Sequence, residues 1–583
     1  MLAGGTVVHR GSAGLAARQA TSPRPRPAEP RTPPAPPATG VAAAPAGGFS
    51  IVEASIADMQ AAMATGRTTS EGIVQQSLAR IARFEPRLNA AITLNPRALD
   101  EARALDAERR RGRVRGPLHG VPIALKDNIH TTDMPTTGGA LAFARLVPPY
   151  DATVTTRLRA AGAVILAKTV MTELANWVAT GMPTNYGSLH GFGFNPYDPR
   201  PDPRPGLADG RPVLATGGSS SGIGTAASFW AANVGTETSG SILSPSSQTM
   251  LAGIKPTVGR ISRYGVMPIT ADQDTPGPMA RTVADAATLL GVLEGADPRD
   301  PATRACTPPP GGDYRRYLDR GALAGARIGI PRAFFYDAVA TPGTRGATGG
   351  LSPDEARAMT DAVAVLRAQG AVIVDPADLP SIVATDPGEN LLLWPVCSGA
   401  GNAKGRDDGC STVFKYGMKR DFTAWLASLG DRAPVRTLAA LRAWNRDHAA
   451  EGTLKYGQAQ LDISDEMDVV ADRARYEADR RKDLRLAGGN GVDAALRAHR
   501  LDALLFPAGT GANVAARPGY PTVIVPFGLV EGAPSASLPH GFDPKRAPFG
   551  VSFTGTACSE PRLIALAYAF EQATKRRRPP PLE

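Results

Sequence analysis

The sequence predicts an α/β protein, and three observations carry that prediction. Short apolar runs of strand length, Val121–Leu125 and Ala163–Ala167, alternate with segments of helical period. The same kind of strand recurs later, at Ala326–Ile330, Ala503–Phe506 and Thr522–Val525. No apolar run reaches the ~20 residues that a membrane helix needs.

Taken in order, residues 1–48 form a Pro/Ala/Arg-rich stretch with almost no large apolar side chains. Such a segment buries too little surface to offset its ordering entropy, so a disordered tail is expected there. Its one apolar patch, Gly4 to Val8, is too short for a secretory signal. Cytoplasmic residence is favoured, with export after processing of this segment as the alternative. From Phe49 the pattern becomes globular. Thr68 and Glu71 have the spacing of a capping box, and Ile73, Val74, Ser77, Leu78, Ile81 and Phe84 follow helical spacing. Arg97 to Arg111 reads as a charged helix. A helix near 153–161 and a helix from Thr172 flank the Ala163–Ala167 strand. A proline-rich insertion over 195–212 borders the glycine- and serine-rich stretch that follows it. Further helices are expected over 282–293, 353–368, 464–485 and 561–573, and the chain ends in a short basic segment, 576–583.

Composition narrows the function classes. The net charge of +10 is concentrated at the ends: +4 in residues 1–48 and +3 over 575–583. Charge in such ends is a solvated-tail pattern, and no nucleic-acid motif accompanies it. Cys306, Cys397, Cys410 and Cys558 show no CxxC or histidine cluster, which argues against a metal site. They read as unlinked thiols, with a Cys397–Cys410 pair across the polar loop as the alternative in an oxidising compartment.

The stretch most loaded with chemistry is Val213 to Arg260. It holds two serine-rich turns, Gly217-Gly218-Ser219-Ser220-Ser221-Gly222 and Gly235-Thr236-Glu237-Thr238-Ser239-Gly240-Ser241. Glycines let a serine be held at a sharp turn, and backbone N–H groups in such a turn can converge on one point. Upstream, Lys126 directly follows the apolar strand and is expected to point inward, where desolvation disfavours its ammonium form. The chain uses only ten lysines among 64 basic residues, so a lysine kept here fits a group that must lose its proton.

With Ser219 and Ser241 spaced 22 residues apart and the run Leu118-His119-Gly120-Val121-Pro122-Ile123-Ala124-Leu125-Lys126-Asp127-Asn128-Ile129 upstream, the chain resembles the amidase signature family over about residues 50–575. Ile254–Arg260 and Asp274–Arg281 resemble further blocks of that family. The resemblance implies one α/β/α domain, 49–575, around a large mixed, twisted sheet. It also implies a Ser-cisSer-Lys triad of Ser241 as nucleophile, Ser219 as relay, with adjacent Ser220 as the fallback, and Lys126 as base. The peptide bond before Ser219 would be cis, eased by Gly218. The amides of Thr238, Ser239 and Gly240 would form the oxyanion hole, with Asp127 and Asn128 in support, while Lys255 and Arg281 hold structure.

The expected reaction is hydrolysis of a neutral carboxamide through an acyl-enzyme, with no cofactor, no metal, no nucleic-acid or membrane partner, and a homodimer left open. Aryl, fatty, peptide C-terminal and small aliphatic amides all remain open as substrates. One rival is the amidase-family component of a tRNA-dependent amidotransferase, a branch that carries arginine after the nucleophile where this chain has Ile242-Leu243-Ser244. Another is an α/β-hydrolase using Ser220 in Gly218-Ser219-Ser220-Ser221-Gly222 with His448, His499 or His540, which leaves Lys126 and Ser241 unexplained.

Overall fold

An 11-stranded mixed sheet carries the molecule, and its strand order explains where the chemistry collects. A computed structural model describes residues 48–531 and 538–583; apart from Gly48, the expected tail lies outside the described residues. In chain order the strands are β1 Ala91–Leu94, β2 Pro122–Lys126, β3 Val164–Thr169, β4 Ala232–Glu237, β5 Ala252–Lys255 and β6 Thr275–Ala280. They continue as β7 Arg327–Gly329, β8 Val372–Val374, β9 Ala503–Pro507, β10 Thr522–Val530 and β11 Ala547–Thr554. Across the sheet they run β1-β3-β2-β4-β6-β5-β10-β11-β9-β7-β8.

Strand β2 lies between β3 and β4 and is parallel to both, so all three bring their carboxyl ends to one edge. Its register places Leu125 level with Val234, which sets Lys126 beside the end of β4. Both faces of β2 are covered. Ile123 and Leu125 join one apolar cluster with Leu158, Leu289 and Leu290, while Ala124 joins another with Val74, Ile81 and Phe84. Alternate residues of one strand entering two cores is the signature of an α/β/α sandwich, as the sequence predicts.

Several local expectations are corrected. The cap of helix Ser70–Leu88 is Thr69, whose hydroxyl accepts from the Gly72 amide; Glu71 instead pairs with Arg103. No regular helix starts at Thr172. Leu174, Ala175 and Asn176 all adopt positive φ, because tertiary partners claim the local amides: Thr172 N–H donates to Ser219 O and Leu174 N–H to Gly138 O. The 464–485 helix starts later, at Arg473, and runs on past Asp483 into a π-helical stretch over Leu484–Val492, with a separate turn of helix at Ala459–Asp465.

All four cysteines are paired, contrary to the unlinked reading. Cys397 joins Cys410, and Cys306 joins Cys558 across 252 residues, with Cα separations of 5.0 and 5.5 Å. The second pair is a product of tertiary folding that no local spacing announces. The proline-rich insertion is braced by the ion pairs Arg200–Asp198, Arg204–Asp202 and Arg211–Asp209. Tyr456 and Lys455 then fasten it to the rest of the chain through the Asp209 side chain and carbonyl.

The basic C-terminal end is docked, not solvated. Arg577 pairs with Glu53, Glu583 with Arg80 and Arg83, and Leu582 is buried among Phe84 and its neighbours. Burying one leucine contributes roughly 1.5–3 kcal/mol. Deleting residues 576–583 should therefore lower the melting temperature by several degrees in calorimetry; an unchanged transition would show that these contacts contribute little.

Candidate active site

Lys126 ends β2 with no solvent exposure, and its ammonium finds only uncharged partners. Nζ donates to Ser219 Oγ at 2.7 Å, Thr236 Oγ1 at 2.8 Å and Thr236 O at 3.1 Å. Burial lowers its pKa from the ordinary lysine value to about 7, against the opposing pull of the Asp274 and Glu237 carboxylates. Sequence reasoning does not single out Thr236. Its signal is its position in a strand neighbouring β2, which the local pattern does not reveal.

The two serine turns are interlocked, and glycines make this possible. A Cβ on Gly218 would lie 2.7 Å from Ser241 Cα, and one on Gly217 would lie 2.3 Å from Pro245 N. Ser220 N–H donates to Ser241 O at 3.2 Å, tying one turn to the other. Ser219 and Ser241 are thereby brought together, although no hydrogen bond joins their hydroxyls. The expected cis bond before Ser219 is not found: among the described residues the only cis peptide is Asp375–Pro376. The Lys126–Ser219 hydrogen bond forms without it, the turn being made by Gly217 at φ +80°.

Ser220 is fully buried and committed elsewhere. Its Oγ donates to Thr236 O at 2.9 Å and accepts from Thr236 N–H at 3.1 Å. This removes the α/β-hydrolase reading, which needs an exposed Ser220 hydroxyl. Ser241 Oγ, by contrast, makes no hydrogen bond to any described residue.

The amides of Thr238, Ser239, Gly240 and Ser241 donate to no described residue, so the three expected donors and Ser241's own N–H are free. Gly240 sits at φ +88°, a left-handed position that allows the turn. The next two amides, Ile242 and Leu243, are held by Glu237 Oε2 at 2.7 and 3.0 Å.

Asp127 and Asn128 are both buried behind the site and do different things. Asp127 pairs with buried Lys168 at 2.9 Å and accepts from the Thr137 amide at 3.0 Å. Asn128 Nδ2 donates to Thr236 Oγ1 at 3.1 Å and to Met267 O at 3.2 Å, fixing the threonine that accepts from Lys126. Lys255 is buried, its pKa lowered by desolvation to about 8, and it donates to Pro256 O. Arg281 binds the carbonyls of Thr225, Trp230 and Ala54, a bracing role.

A sheet edge that gathers a desolvated lysine, two interlocked serine turns and a run of free amides defines an amide-hydrolysing enzyme of the amidase family. A family model described as Amidase matches residues 72–564, and the chain belongs to that family. It is 34% identical to a probable amidase of Arabidopsis thaliana over 91% of this chain and 92% of that protein. It is also similar to the native peptide amidase of Stenotrophomonas maltophilia, with 36% identity, a TM-score of 0.75, and coverage of 91% of this chain and 99% of that one. A glutamyl-tRNA(Gln) amidotransferase component of Chloroflexus aurantiacus is 41% identical, over 54% of this chain and 58% of that protein. No helix among the described residues is long and apolar enough to cross a membrane.

Proposed function

We propose that the chain is a stand-alone amidohydrolase that removes the amide nitrogen of a peptide amide through an acyl-enzyme on Ser241. The observation that carries this reading is Lys126, wholly buried, 2.7 Å from Ser219 Oγ and with its pKa lowered to about 7. At pH 7 about half of such lysines are neutral, whereas neutralising an exposed one costs about 4.6 kcal/mol. In the neutral amine two N–H groups go to Thr236 O and Oγ1, and the lone pair is left for the Ser219 hydroxyl proton.

Lys126 takes the Ser219 proton as Ser219 takes that of Ser241, once the Ser241 hydroxyl rotates toward Ser219 on substrate binding. Ser241 Oγ attacks the carboxamide carbon, and the oxyanion is met by amides from Thr238, Ser239, Gly240 and Ser241. The C–N bond breaks as the proton returns through Ser219 to the leaving nitrogen, and ammonia departs. Water, activated along the same route, then cleaves the ester and releases the carboxylic acid. The peptide-amide assignment rests on the likeness to the peptide amidase over 91% of this chain. The amidotransferase reading has relatives behind it too, one 41% identical over part of the chain and one 31% identical over 89% of it. It is disfavoured because this chain has Ile242-Leu243-Ser244 after Ser241, where that branch carries an arginine. Two disulfides that use every cysteine favour an oxidising compartment over the cytoplasm.

A serine-reactive phosphonate tests the reading. Peptide mass spectrometry should locate the adduct on Ser241; an adduct on Ser220, or none, would sink it.

A further inference from the structure

We propose that Asp274 is a positioning residue for this reaction, holding the Thr238–Ser241 turn through the Thr238 hydroxyl and sharing a small polar cavity with Thr236, the residue that accepts from Lys126. The inference rests on the reading of the site given above. Asp274 and Gln273 clamp Thr238 from two sides: Thr238 Oγ1 donates to Asp274 Oδ1 at 2.5 Å, and Gln273 Nε2 donates to Thr238 O at 3.1 Å. Asp274 is itself fixed, since its Oδ2 accepts from the amides of Ile269 at 2.8 Å and Thr270 at 3.0 Å. The side chain thus ties the 269–274 loop to the first residue of the run of free amides. No other side chain among the described residues holds Thr238.

A small cavity lies between Asp274 and Thr236, an acceptor for Lys126, with Arg263 also in its wall. Its volume is about 10 Å³, room for about one water, and its wall includes Asn128, Thr236, Thr238 and Asp274. Thr236 is the acceptor for Lys126, and Asn128 Oδ1 is a buried polar atom with no partner among the described residues. A polar cavity with an unpaired buried acceptor is the kind of place where a bridging water sits, so the wall offers a polar path from Asp274 to Thr236.

The electrostatics agree in direction. The Asp274 carboxylate holds the Lys126 pKa up against desolvation, and Glu237 does the same. Burial raises Asp274's own pKa to about 7; the Thr238 hydroxyl and the Ile269 amide oppose that rise, Asp421 adds to it, and Arg263 opposes it. A carboxylate that couples to the base and also fixes the oxyanion turn links two parts of the machinery that the chain otherwise keeps on separate elements.

The test separates the two roles by measuring pH profiles of kcat and kcat/KM with a peptide amide. Thr238→Val cuts the hydroxyl link and keeps the charge. It should lower kcat roughly 10- to 100-fold, with KM and the ascending limb of the profile little changed, and Thr238→Ser should recover most of the loss. Asp274→Asn removes the charge that favours the ammonium, so Lys126 should deprotonate more readily. The ascending limb should move to lower pH, because the ionised fraction of Asp274 near pH 7 holds the ammonium there in the wild type, besides any loss in kcat. A bracing role alone would lower activity or stability without moving the limb. An unmoved limb in Asp274→Asn, or a wild-type kcat in Thr238→Val, would overturn the proposal. If Asp274→Asn does not fold, the Thr238 pair decides it, equal losses in valine and serine counting against. Phosphonate labelling of wild-type Ser241 is read on the same samples: its absence indicts the site assignment itself, whereas its presence with an unmoved limb indicts only the role of Asp274.

Discussion

Lys126→Arg is expected to abolish most turnover, by roughly 10²- to 10⁴-fold, although it preserves the positive charge. The guanidinium cannot give up its proton at working pH, so it cannot accept one from Ser219. The wild-type profile should rise near pH 7, the value to which burial lowers Lys126. The sign follows from which form works: the neutral amine is the base, so activity is lost as pH falls through that value. Retention of wild-type rates by Lys126→Arg at pH 7–8 would remove lysine as the base. Single changes at His448, His499 and His540 should leave the rising limb in place.

The same depressed pKa has a consequence for stability, with the opposite practical sign. An unfolded lysine titrates near 10.4, so below about pH 7 both states carry the proton and the folded state bears a buried ammonium. That burden shrinks as pH rises from 7 toward 10, because the folded protein sheds the proton first. Lys126→Met should therefore be inactive but more stable at pH 6, by up to roughly 4 kcal/mol, less whatever the Thr236 and Ser219 groups lose without their partner. The gain in chemical-denaturation midpoint should fade at high pH. A lysine that destabilises the fold yet sits at the centre of the site fits a residue kept for chemistry.

Ser241→Ala is the second large effect. Hydrolysis should fall by roughly 10⁴- to 10⁶-fold, the scale seen when a catalytic nucleophile is removed. Folding should be unaffected, because Ser241 Oγ makes no hydrogen bond that the rest of the structure relies on. Equal activity in Ser241→Ala and wild type, measured as ammonia release, would place the nucleophile elsewhere. Ser220→Ala should behave differently: its hydroxyl bonds both the carbonyl and the amide of Thr236, so its loss should appear first in stability.

The sequence by itself determined the α/β alternation and the apolar strand that ends on Lys126. It also marked the two glycine-set serine turns, because those depend on local period and on backbone shapes that only glycine allows. Tertiary structure decided the rest. Strand β6 carries Pro276 and Pro278, and β11 carries Pro548 and Gly550, residues that argue against a central strand when read locally. Thr236, Glu237 and Asp274 entered the site only when β4 was laid parallel to β2 and the 269–274 loop came to rest on Thr238. The segment after Thr172 gave up helix for left-handed turns because its amides found partners in Ser219 and Gly138. The Cys306–Cys558 bond likewise spans 252 residues, a proximity that depends on the whole sheet being assembled. Local rules fix what a segment can be, but which polar groups lose their water, and so which lysine sheds its proton near neutral pH, is settled by what packs around them.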